Sequence, residues 1–108
     1  MVKKKFKIPL YFQNLTIIQT DNFVEVGKQY NLDKDADEYE AVVFDIGTTI
    51  VSIFSSKVTP SIIAHEAVHI CNCIFLNTDV KLDLNNDEPY AYLMGWVVEK
   101  IHSVVKIS

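Results

Sequence analysis

The sequence predicts a single α+β domain, residues 1–108, in which an antiparallel sheet from the N-terminal half packs against a motif-bearing helix and a C-terminal backing helix. Three observations carry this expectation. Short apolar, β-branched and aromatic runs parted by turn signals fill the chain as far as Phe54. From Pro60 onward the apolar residues recur at the three-and-four spacing of a helix. A length of 108 residues, 49% of them hydrophobic, suffices for one buried core and not for two.

Taken in order, Phe6–Phe12 and Leu15–Thr20 read as strands divided by a turn at Gln13–Asn14. Pro9 cannot donate to a ladder, which assigns the first strand to an edge or a bulged position. Phe23–Tyr30 follows Asp21–Asn22 and alternates Val24 and Val26 against Phe23 and Glu25, predicting a third strand with a bulge at Gly27. Ala41–Asp45 and Thr48–Phe54 form a hairpin across Ile46–Gly47. Between these segments Asp33, Asp35 and Asp37 imitate the opening of a calcium loop. Glu38 stands where that loop needs its Gly and Phe44 where it needs its closing Glu, so a solvated acidic connector is expected.

Thr59 and Pro60 supply a cap and a first-turn proline for a helix from Pro60 to about Leu76. Ala64, Ala67, Val68, Cys71, Ile74 and Phe75 share one face of it; His65, Glu66, His69 and Cys73 share another. After the polar connector Asn77–Asn86, a second helix runs from about Asp87 to Val105 on a stripe of Leu93, Trp96, Val97, Ile101, Val104 and Val105. The expected core between helices and sheet contains Ile62, Val68, Phe75, Leu93, Trp96 and Val97.

Composition excludes several functions. The net charge is −4 and all ten basic residues are Lys, so the chain offers neither a general field for nucleic acid nor an Arg clamp for phosphate. Lys3, Lys4, Lys5 and Lys7 concentrate positive charge on the first strand, where a solvated edge discourages strand-to-strand aggregation. No apolar run is long enough to span a membrane, and Lys7, Pro9, Gln13 and Asn14 interrupt any signal-peptide pattern in the opening residues. Cys71 and Cys73 lie two apart on a helix and point away from each other, which suits a reducing cytoplasmic setting.

The chemistry concentrates in His65-Glu66-Ala67-Val68-His69, an HExxH on the first long helix. Histidines at i and i+4 project side by side, so both imidazoles can bind one Zn²⁺ while Glu66 reaches a water beside it. A shuffled chain of this composition carries such a motif in roughly 0.3% of cases, so chance is a weak rival. An open catalytic zinc site needs a third protein ligand. Glu88, nineteen residues after His69, stands where a connector between neighbouring helices returns the chain toward that histidine. Tyr90 and Tyr92 flank Glu88, and either can donate a hydrogen bond to an oxyanion or serve the core. His102 lies about 21 Å along the second helix from Glu88 and is read as a surface or packing residue, and Cys73 as a small buried side chain.

With these residues the chain resembles the gluzincin group of zinc metallopeptidases, in which HExxH is followed some eighteen to twenty residues later by a Glu ligand on the next helix. Its small size and element order look like the minimal gluzincins, and like short HExxH proteins encoded by phages and mobile elements. The resemblance covers roughly residues 40–105. It implies a zincin-like fold, Zn²⁺ held by His65, His69 and Glu88, Glu66 as general base, and an edge strand beside the motif helix that aligns an extended peptide. Thr48–Phe54, which leads into that helix, is the strand expected to do so. Some gluzincins place an Asp four residues after the ligand Glu; here that position is Tyr92, and its role passes to Asp87 or a backbone carbonyl. The expected activity is peptide-bond hydrolysis on a peptide or protein substrate, with neither nucleic acid nor membrane as partner. The rival reading is a zinc-containing binding protein without useful turnover, for example a phage accessory factor.

Overall fold

Pro9 ends the first strand rather than bulging it, and the chain reverses over Pro9–Phe12. The computed structural model describes residues 1–30 and 40–107, with the order β1 (Val2–Ile8), β2 (Gln13–Gln19), α1 (Phe23–Gln29), β3 (Ala41–Ile46), β4 (Thr49–Phe54), α2 (Pro60–Asn77) and α3 (Glu88–Val104). The acidic segment containing Asp33, Asp35 and Asp37 lies outside the described residues. No helix among the described residues is long and apolar enough to cross a membrane.

The fold is α+β, but the sheet is mixed rather than antiparallel. Its order is β1-β2-β4-β3; β1 pairs antiparallel with β2, β3 antiparallel with β4, and β2 parallel with β4. Each sequential pair is an antiparallel hairpin, but the two hairpins join in parallel. The chain crosses over from β2 through α1, and β4 then inserts between β2 and β3. Burial on both faces explains the near-continuous apolar runs LTII and TIVSIF, as expected of interior strands. On one face Leu15, Ile17, Ile50 and Phe54 meet Ile63, Ala67, Ile70 and Ile74 of α2 and Leu93, Val97 and Ile101 of α3. On the other, Ile18, Val51 and Ile53 meet Phe23 and Val26 of α1.

Two local expectations are corrected. Phe23–Tyr30 is helical, because Asn22 caps it: its Oδ1 accepts from the Glu25 backbone N–H at 3.1 Å and its Nδ2 donates to the Glu25 carboxylate at 3.2 Å. Phe23, Val26 and Gly27 are then buried at helical spacing, and Val24 is exposed. Gln13 and Asn14 belong to β2 and make no turn. The Gln13 amide donates to the Ile74 carbonyl at 3.2 Å and accepts from Asn77 at 2.9 Å, so its polarity ties the sheet to the end of α2.

The later elements follow the sequence closely. Thr59 Oγ1 accepts from the Ile62 N–H at 3.2 Å, with Pro60 beside the cap. Gly47 takes a left-handed φ of 63° in the β3–β4 turn, a conformation open to glycine at little cost. The buried stripe of α2 is Ile63, Ala67, Ile70, Cys71 and Ile74, which leaves Val68 42% exposed and Ile62 half-buried, contrary to the expected core; Trp96 is half-buried, whereas Phe75, Leu93 and Val97 are buried.

Candidate functional site

Residues four apart on a helix stand one above the other, and α2 places His65 and His69 in this way on its groove face, with Glu66 beside them. The two Nε2 atoms are 3.1 Å apart and the rings meet edge-on at 4.8 Å between centroids. Zinc–nitrogen bonds of about 2.0–2.1 Å at a tetrahedral angle put two nitrogens about 3.3 Å apart, so the pair fits two corners of a zinc site. Glu66 is only 8% exposed. Burial pushes its carboxyl above the ordinary carboxylate range, against the opposing pull of His69 and His65.

These three side chains open into a groove of about 520 Å³ between α2 and β3, lined also by Ala41, Val42, Val43, Asn72, Cys73 and Leu76. β3 is the edge of the sheet; β4 has its main chain paired on both sides, by β2 and by β3. Thr48–Phe54 therefore has no free main-chain groups for an extended peptide, and among the described residues the strand beside the groove with one side unpaired is β3. The order of strands in the sheet, which no local pattern encodes, decides this.

The third expected ligand stands apart. Glu88 is the first residue of α3, exposed, with Pro89 following it in the first turn. Among the described residues no third His, Cys, Asp or Glu joins the histidines in a group of metal-binding size. Asp87, at the cap of α3, makes no side-chain cap hydrogen bond. Yet the first turn of α3 is fastened beside His69. The Tyr90 hydroxyl donates to Asn72 Oδ1 at 2.7 Å and lies 3.5 Å from the Val68 carbonyl, and its ring sits edge-on to Phe75 at 5.2 Å.

Tyr92 is elsewhere. It is 75% exposed and lines a second, apolar groove of about 420 Å³ with Pro9, Leu10, Tyr11, Pro89, Leu93 and Trp96. His102 is exposed in the last turn of α3 and touches neither groove lining. Cys71 is buried, its thiol pushed up to about 12 by desolvation, and Cys73 is half-buried in the groove wall with a thiol raised by burial and by Asp45. Asn72 is the groove residue that sequence reasoning passed over. Its signal was present: three residues after His69, it shares the histidines' face.

The chain matches no protein-family model, no curated protein and no solved structure.

Proposed function

We propose that this protein is a zinc-dependent peptidase of zincin-like architecture. The observation that carries the reading is the convergence of His65 and His69 Nε2 atoms beside a buried Glu66, in a groove bounded by an open strand edge. His65 and His69 would hold the metal, and Glu88 is the carboxylate assigned to complete the set, supported by the fastening of its helix turn beside His69 through Tyr90. Zinc, when bound, supplies Lewis acidity to a peptide carbonyl and lowers the pKa of water in the site. β3 holds an extended peptide by main-chain pairing. Glu66 accepts the proton of the attacking water and delivers it to the departing amine nitrogen, and its burial keeps its basicity suited to both transfers.

The separation of Glu88 from the histidine pair favours one alternative, a protein that binds metal and peptide through the same groove without turnover. Cleavage of fluorescein-labelled casein decides between them. The zinc-replete wild type is expected to cleave it, and Glu66→Gln to retain the metal while losing roughly 10²–10⁴-fold in rate. A zinc-replete wild type with no activity above the Glu66→Gln variant would reject the peptidase reading.

A further inference from the structure

We propose that Asn72 is the side chain that grips the main chain of an extended polypeptide in the α2–β3 groove, and that Tyr90 is a positioning residue acting through it. The proposal rests on reading this groove as the peptide site. His65, His69, Asn72 and Leu76 follow one another at spacings of four, three and four, forming one row along the groove face of α2. Asn72 lies about 4.5 Å farther along the helix axis than His69. An extended chain advances about 3.3 Å per residue, so the Asn72 amide falls level with a peptide unit neighbouring the one opposite the histidines.

The hydrogen bonding fixes what that amide offers. Tyr90 donates to Oδ1 at 2.7 Å, occupying the acceptor end, and Nδ2 has no protein acceptor among the described residues. The free end of Asn72 is thus a donor, matched to a carbonyl oxygen. Tyr90 is itself held by its ring contact with Phe75, so the amide is oriented before any peptide arrives and less freedom is lost on binding. Edge strand β3 offers main-chain donors and acceptors on the opposite wall. A groove that grips backbone from both sides selects for extended conformation rather than for particular side chains. The substrate class that fits is unstructured polypeptide.

The test measures binding, separately from cleavage. In a zinc-replete Glu66→Gln background, fluorescence anisotropy with fluorescein-labelled casein reads the Kd. Asn72→Asp keeps an acceptor for Tyr90 and removes the donor, and Asn72→Ala removes both without adding charge; each is expected to weaken binding about 2–10-fold with the melting temperature preserved. Tyr90→Phe should weaken it in the same direction, and Tyr90→Phe added to Asn72→Asp should cause no further loss, since the Tyr90 hydroxyl bears on the peptide through Asn72. With Glu66 restored, Asn72→Asp raises KM and leaves kcat nearly unchanged, as expected for a contact made equally before and during reaction. Unaltered Kd in both Asn72 variants, additive losses in the double variant, or no casein binding by the parent would overturn the proposal. Binding that depends on Asn72 in a protein that never cleaves would uphold it and reject the peptidase reading alone.

Discussion

The α2–β3 groove and the apolar groove are similar in size and opposite in chemistry. The one between α2 and β3 gathers two imidazoles, a buried carboxylate, an oriented amide and a free strand edge. The one between the β1–β2 turn and α3 is walled by prolines, Leu10, Tyr11, Tyr92, Leu93 and Trp96. Volume does not distinguish them; convergence of polar groups does. Phe75 stands between the two, its ring against Tyr11 on one side and Tyr90 on the other. The difference teaches that the polar groups of the α2–β3 groove converge through side-chain direction on one helix, while the apolar groove is made where the β1–β2 turn meets α3.

The sharpest break of this comparison is metal content. Elemental analysis is expected to find one zinc per chain in the wild type and none in His69→Ala, whereas Tyr92→Ala in the other groove retains it. Zinc retained by His69→Ala would erase the distinction. Next in size, Phe75→Ala should cost about 3–5 kcal/mol in urea unfolding, because it removes a buried ring on which both tyrosines lean. A loss below about 1 kcal/mol would mean that the two grooves are mechanically independent.

How much of this was legible depends on the range of the signal. Thr59, Pro60 and the His65–Glu66–His69 spacing act within one or two helical turns, and the extent of α2 stands, although its buried stripe is turned away from Ala64 and Val68. Asn22 and Glu25 formed an equally local cap, but the alternation of Val24 and Val26 was read in its place. Gln13 was taken for a turn residue because its partners, Ile74 and Asn77, are far along the chain. The insertion of β4 between β2 and β3 has no local signature, which is why the sequence does not reveal that Thr49–Phe54 is paired on both sides. The exposed position of Glu88 depends on the rotation of α3 about its axis, another property that spacing alone does not set.

Thiol chemistry sharpens the comparison further. Cys71, its thiol pushed up to about 12, is buried with its sulfur 3.9 Å from that of Met94, while Cys73 borders the α2–β3 groove. Iodoacetamide at pH 8 should label Cys73 at least about tenfold faster than Cys71, as read by peptide mass mapping. Equal rates would show that α2 and α3 separate readily.

The smallest expected effect belongs to the apolar groove. Leu10 and Phe12 hold left-handed φ values of 70° and 53° while 88% and 95% exposed. Leu10→Gly should raise unfolding free energy by about 1 kcal/mol, since relief of the backbone outweighs the little burial lost. A decrease would mean that Leu10 contributes more to the apolar groove than its exposure indicates.

The parallel seam between β2 and β4 has a consequence for how the molecule assembles. β1–β2 and β3–β4 are each closed by short turns, so each can zip early and locally. Their joining, Asn14–Gln19 against Thr49–Phe54, must close a loop spanning α1, the segment beyond it and β3. Loop-closure entropy makes that joining the slower step expected in folding. The histidine pair and its strand wall sit on one uninterrupted stretch from Ala41 to Asn77, which also carries β4, the C-terminal half of that joint. A nascent chain therefore holds the groove's two walls in its second hairpin and the helix that follows before α3 brings Tyr90 to Asn72.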